Sequence, residues 1–291
     1  PGLNALFGLE YSRYDNQHAE IFTTESSDRA FEEEVMLSGF AGAPTKQEGA
    51  SVVFDQANEA YTARYTHETI ALAFSITEEA IEDNLYDKLA QRYTRALARS
   101  MSNTKQVKAA QVLNQAQFTA VTGGDGVPLI SNAHPLSNGG TFSNVLSTAA
   151  DLNETSLEQA LIDIQGFVDE RGLKIALNGR KMIIPKELQF TAERLMKSTL
   201  RTGTADNDIN AINNMGMVPE GYRVNNFLTD TDSFFLLTDV PNGLKHFERS
   251  PIKTALEGDF DTGNVRFKAR ERYSFGFSDP RCIFGNGNLP T

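Results

Sequence analysis

The chain of 291 residues holds a single cysteine, Cys282, which excludes an intrachain disulfide framework and any thiolate cluster. Its four histidines, His18, His67, His134 and His246, stand far apart, with no H-x-x-x-H and no Cys/His pair to make a metal site. No stretch reads as a signal peptide or a membrane span. Gly123-Gly124-Asp125-Gly126 is neither a P-loop nor a dinucleotide fingerprint, since no Lys-Ser/Thr follows it and no strand–helix switch surrounds it. A calcium-loop reading of Asp206-Asn207-Asp208-Ile209-Asn210 fails at Ala211 and Met217, where Gly and Glu are needed. There is no G-x-S-x-G elbow. This lowers the case for catalysis without closing it, because triads assemble from distant positions. Positive charge is short as well: 27 Lys and Arg against 38 Asp and Glu leave a formal net charge of −11. That balance argues against a general nucleic-acid or anionic-membrane binder. No internal repeat or low-complexity tract appears, and no cofactor or metal is expected.

What is present is organised around residues 77–118, which read as one long helix. Thr77 is a good N-cap, Glu78, Glu79, Glu82 and Asp83 load the first turns with negative charge, and Lys88, Arg92, Arg95, Arg99, Lys105 and Lys108 follow. Acids first and bases later complement the helix macrodipole. Ile81, Leu85, Leu89, Tyr93, Leu97 and Met101 recur every fourth residue and are expected to form the core face. Roughly forty residues at ~1.5 Å rise each would span ~60 Å, more than a domain of this size needs. The charges exclude a membrane helix and the spacing lacks the alternation of a coiled coil, which leaves an extended scaffold.

Residues 1–48 read as an arm, acidic between Glu10 and Glu34 and ending in a Gly/Ala/Pro-rich linker; a frayed terminus is the competing reading. Residues 51–56 and 61–76 read as two strands around a turn at 57–60, a projecting hairpin that needs something to lie on. Gly-, Ser- and Asn-rich loops fill 123–150, and a capped helix starts near Asn153. A short strand at 181–185, a helix at 186–200, strands at 222–227 and 233–238, and a run of strand signals at 252–277 broken by a turn at 259–263 complete the chain. The chain begins at Pro1, which fits removal of an initiator Met and trimming of a longer precursor equally well.

Four stretches carry a resemblance. They are Thr66-His67-Glu68-Thr69 through Phe74-Ser75-Ile76-Thr77-Glu78-Glu79 to Tyr86; Gly124-Asp125-Gly126-Val127-Pro128-Leu129 with Ala133-His134-Pro135-Leu136; Met182-Ile183-Ile184-Pro185; and Phe267-Lys268-Ala269-Arg270-Glu271-Arg272-Tyr273 to Arg281. In order and spacing across residues 51–287 the chain resembles major capsid proteins of tailed bacteriophages with the Hong Kong 97-type fold, most of all the Mu-like major head subunits.

The resemblance implies an α+β fold with mixed sheets, here an N-terminal arm at 1–48, a projecting hairpin (E-loop) at 49–76, a peripheral domain with the spine helix at 77–150 completed by 246–291, and an axial domain at 151–245. It implies a structural protein of the virion capsid, assembled in the bacterial host cytoplasm into hexamers and pentamers of an icosahedral shell around double-stranded DNA. Scaffold, portal and decoration proteins are implied partners, DNA contact is weak and nonspecific, and no membrane is involved. An encapsulin-like nanocompartment shell and a soluble α+β enzyme are the alternatives. Val53, Phe54, Tyr61 and Tyr65 on the hairpin are expected at a subunit interface. Residues 51–76 hold no lysine, so a shell without covalent cross-links is expected. Arg92, Arg95 and Arg99 are expected to pair with carboxylates of the same or a neighbouring subunit, with packaged DNA as the other reading.

Overall fold

A computed structural model describes residues 2–82, 86–201, 208–241, 243–259 and 263–287 of the chain. The backbone packs as two units: Pro1–Glu32, Tyr65–Ala110 and Lys245–Gly276 make the first, and Glu33–Arg64, Gln111–Leu244 and Phe277–Thr291 the second. The boundaries expected at 48/49, 76/77 and 150/151 are not those of these units. Helix α1 (Leu3–Tyr11) and strand β1 (Thr23–Ser26), expected to be part of a free arm, are built into the first unit.

The first unit is a four-stranded sheet in the order β1, β10 (Leu244–Gly258), β11 (Val265–Phe277), β4 (Glu68–Ile76). β1 runs parallel to β10, and β4 antiparallel to β11 in the register Val265 to Ile76 through Tyr273 to Glu68. Strict alternation shapes β11: Phe267, Ala269, Glu271 and Tyr273 are buried, while Arg266, Lys268 and Arg270 face solvent. The buried side meets two helices. Phe7 of α1, Leu97, Ala98 and Met101 of α3 (Tyr86–Asn114) and Phe267 and Ala269 of β11 share one core, with Phe7 and Phe267 rings 6.2 Å apart.

The long helix is therefore real but differs from its reading. A first segment, α2, spans Glu78–Glu82, and α3 ends at Asn114 rather than Phe118. There the Ala116 and Phe118 amides turn back to Leu113 and Gln115. The Asn114 side chain is held by the Phe227 carbonyl at 3.1 Å and the Thr229 amide at 3.1 Å. Its buried face is Ala90, Thr94, Leu97, Ala98, Met101, Ser102, Ala109, Ala110 and Leu113, mostly small residues that let the helix lie close to its neighbours. Of the expected stripe, Leu97 and Met101 are buried, Leu89 is half-buried and Tyr93 is 42% exposed, only its ring edge resting on Phe74. Positions four apart drift about 40° around a helix, so a stripe centred on the sheet at Met101 has turned to its margin at Tyr93. The Ile81 side chain and all of Leu85 lie outside the described residues.

The second unit is a mixed sheet in the order β12 (Ile283–Gly285), β9 (Phe235–Thr238), β7 (Gly179–Ile184), β8 (Tyr222–Val224). β7 is antiparallel to β9 and parallel to β8. Met182, Ile183 and Ile184, and Phe235, Leu236 and Leu237, are buried without alternation, as strands covered on both faces must be. Leu157, Leu161 and Ile164 of α4 (Glu154–Gln165), with Ala192 and Leu195 of α5 (Gln189–Lys197) and Ile212 of α6 (Ala211–Met215), share the core with Met182, Leu236 and Phe284. Asn153 caps α4 reciprocally with Ser156; the cap was legible in sequence, its serine partner was not. Strands β5 (His134–Pro135) and β6 (Thr141–Phe142) pin the Gly-rich loops. Cys282 is buried against Gly243, where any side chain would collide with its Cβ, and burial pushes its thiol well above the ordinary range.

Candidate functional site

A two-stranded ribbon and its loop carry the most exposed large apolar side chain among the described residues, Phe54. The ribbon pairs β2 (Phe31–Leu37) with β3 (Glu59–Thr66), and the Ser38 amide donates to the Asn58 carbonyl at 2.8 Å to close its end. The expected strand at 51–56 does not form; those residues belong to the loop 38–58. Ser51-Val52-Val53-Phe54 places three apolar residues in a row with no partner strand, so neither a pleat nor a ladder defines it. Phe54 is 94% exposed and Val53 69%. The loop is nonetheless strapped. The Asp55 carboxylate accepts from the Ala41 amide at 2.7 Å and the Gln56 amide at 2.9 Å, and Arg171 donates to it at 2.9 Å. Those two amides, and then Arg171, hold the Asp55 carboxyl below its usual range.

Strand β2 is inverted. Glu32 and Glu34 are half-buried, Glu32 accepting from Ser27 at 2.6 Å and Glu34 from the Ser278 hydroxyl, while Val35 and Leu37 point to solvent. Sequence reasoning missed this strand; the signal was the alternation of Val35 and Leu37 with Glu34 and Met36, which reads as an ordinary amphipathic strand until the side that is covered is known.

The four interface residues expected on the hairpin divide into two pairs. Val53 and Phe54 are on the surface. Tyr65 is 3% exposed, edge-on to Phe247 with ring centroids 4.8 Å apart, so it belongs to the core of its own subunit. Tyr61 is half-buried against Gly124, where even a methyl group would meet the Thr62 carbonyl. Burial raises its phenol beyond the ordinary range.

The buried polar clusters have the chemistry of anchors. His67 has both ring nitrogens occupied, one by Ser27 at 2.9 Å and one by Ser274 at 3.0 Å, and the nearby Glu32 bonds Ser27 rather than the imidazole. A hydrolytic triad needs the carboxylate on the ring, so this chain of groups does not make one. Desolvation first, then Arg272, lowers the His67 pKa. In the second unit His134 pairs with Asp125 at 2.6 Å and Arg281 with Glu170 at 2.7 Å, the guanidinium lying 4.5 Å over the Phe142 ring. Asn144 ties these loops together, its amide donating to the carbonyls of Leu129, Pro280 and Ile283. Among the described residues no three His, Cys, Asp or Glu gather where a metal could sit, and no helix is long and apolar enough to cross a membrane.

The geometry thus offers surfaces for association. No curated protein matches the chain. Its fold is similar to the virus-like particle from Pyrococcus furiosus, with a TM-score of 0.54, 11% identity and 97% of each chain covered. It is also similar to the capsid of an empty GTA particle, with a TM-score of 0.57 and 12% identity over 92% of this chain and 87% of that one. Mycobacterium phage Che8 gives a TM-score of 0.54 and 15% identity over 93% and 90%. The α+β architecture with its long helix and mixed sheets is the Hong Kong 97-type capsid fold. The phage capsid protein family matches residues 60–286, a span that takes in both sheets, the long helix and the anchored loops between them, and the chain belongs to that family.

Proposed function

We propose that hexamers and pentamers of this capsid protein close an icosahedral head around double-stranded DNA, assembled in the bacterial host cytoplasm and without catalysis of its own. The inverted strand β2 is the observation that carries this reading. A subunit meant to stay alone would turn Val35 and Leu37 inward and leave Glu32 and Glu34 in water; here the acids are hydrogen-bonded and the apolar side chains are left to a neighbour. With Val52, Val53 and Phe54 they present an apolar surface whose side chains, once covered, contribute about 1.5–3 kcal/mol each, repeated at every subunit contact. In this reading the first unit is the peripheral domain and the second the axial one, with scaffold, portal and decoration proteins as further partners. The family match favours a genome-bearing head over a nanocompartment shell, and the nucleic-acid content of purified particles separates the two. The absence of lysine from residues 51–76 no longer argues for a shell without cross-links, because the ribbon loop is 38–58 and carries Lys46. Light scattering and electron microscopy of concentrated protein, with a scaffold supplied, should show rings or closed shells. A species that stays at 32.0 kDa across salt and concentration overturns the proposal.

A further inference from the structure

Acidic residues are not spread evenly along this chain. Between Lys88 and Gly124 there is no Asp or Glu, although acids outnumber bases 38 to 27 overall. Six bases fall in that run: Lys88, Arg92, Arg95, Arg99, Lys105 and Lys108. The two on the sheet side are neutralised, Lys105 by Glu271 at 3.6 Å and Lys108 by Glu68 at 2.6 Å. Arg92, Arg95 and Arg99 are exposed and have no ion pair among the described residues, so the expected pairing within the subunit is not what α3 shows. At ~100° per residue they fall within an arc of about 60°, on the side away from Leu97 and Met101, and span ~10 Å along the axis. Arg13 and Arg99 both act electrostatically on the Tyr14 phenol. Glu10, the nearby carboxylate, is already engaged by Tyr14 at 3.2 Å and Arg13 at 3.9 Å.

A row of like charges three and four residues apart destabilises a helix unless something outside it supplies the counter-charge. The row lies in mid-helix, where the macrodipole offers no compensation. All three are arginines, whose planar forks suit phosphate oxygens. The unit that carries them is almost neutral, with fifteen bases against seventeen acids, while the other unit has twelve against twenty-one and holds −9 of the −11. We infer that the outward face of α3 at Arg92, Arg95 and Arg99 binds the phosphate backbone of double-stranded nucleic acid without reading its sequence. The inference rests on the capsid reading and assigns its DNA contact to a face. About three phosphates per subunit make a weak, strongly salt-dependent contact, which the acidic second unit keeps from becoming tight adhesion.

The test compares wild type with Arg92→Gln/Arg95→Gln/Arg99→Gln and with a control of equal charge change on β11, Arg266→Gln/Lys268→Gln/Arg270→Gln. Each protein is titrated with a short fluorescent DNA duplex between about 50 and 200 mM salt, and assembly into DNA-free shells is followed in parallel. We expect the α3 triple variant to melt no lower than wild type, to form empty shells normally, and to lose about 2–3 from the slope of log affinity against log salt. The β11 control should keep the wild-type slope. A slope that stays the same in the α3 variant, or falls equally in both variants, overturns the inference. So does a folded α3 variant that no longer forms empty shells, which would make an acidic face of a second copy the partner. Wild type that never closes into shells removes the capsid reading instead, and the duplex titration still decides whether this face takes phosphate.

Discussion

Replacing Tyr65 by Ala removes a ring that is 3% exposed and packs edge-on to Phe247, so the isolated subunit should lose about 3–5 kcal/mol, read as a lower urea midpoint. Phe54→Ser should leave that midpoint within about 0.5 kcal/mol and instead lower the yield of shells, because its ring is 94% exposed. Leu97→Ala, at a buried site on α3, should cost ~2–5 kcal/mol, and Tyr93→Ala clearly less, since much of that ring is already in water. These pairs show what the sequence could not supply. Phe54 and Tyr65 are both large aromatics, Phe54 the more apolar, yet the path of β3 past Phe247 makes Tyr65 the core residue. The stripe of large residues on α3 was visible at Leu97 and Met101, whereas the rest of the buried face is made largely of Ala90, Thr94, Ala98 and Ala109, small residues that no stripe of large side chains picks out.

Between elements, α3 and strands β10 and β11 enclose a polar cluster that should govern acid stability. The His18 and His246 rings sit 5.4 Å apart, with Lys105, Gln106, Glu271 and Tyr273 around them and His246 stacked on Phe275 at 4.4 Å. Burial, and then Lys105, lowers His18 to about 4 and His246 to about 3 from an ordinary value of 6.5. The unfolded chain takes up protons below about pH 6.5 that the folded rings refuse, so stability present above that pH is lost as pH falls toward 4 and 3. At ~1.4 kcal/mol per unit, each ring accounts for on the order of 3–5 kcal/mol of that loss when fully titrated. Glu271 acts in the opposite sense. Burial raises its pKa, so what it contributes is present below the carboxylate's ordinary value of 4.5 and lost as pH rises through the folded one. Urea titrations from pH 7 to 4 should show a steep acid limb that flattens in His246→Phe. An unchanged limb would place the acid sensitivity elsewhere. Strand β11 was legible because Phe267, Ala269 and Tyr273 alternate with Arg266, Lys268 and Arg272, whereas β10 was read only from residue 252 onward and its start at Leu244 was missed. Strand β2 was not, because its alternation says which residues share a side and nothing about which side is wet.

At the scale of the molecule the chain passes between its two units five times, at 32/33, 64/65, 110/111, 244/245 and 276/277. All five crossings fall inside an element, β2, β3, α3, β10 and β11 in turn, so no linker composition marks them, and of the expected boundaries only 245/246 lies beside one. Association of subunits that each carry −11 is opposed by charge repulsion, and the concentration needed for assembly should fall as salt rises from low ionic strength. Light scattering along a salt series checks this, and a threshold indifferent to salt would assign assembly to apolar contacts alone. The chain has no tryptophan and one thiol, closed in beside Gly243. An alkylating reagent can reach that sulfur only while the strand end at Cys282 is open, so the rate of labelling is the opening equilibrium multiplied by the reagent's intrinsic rate. Cys282 is thus a built-in clock: followed in free subunits and again in closed shells, the same atom measures how far enclosure by neighbours slows the breathing of each subunit.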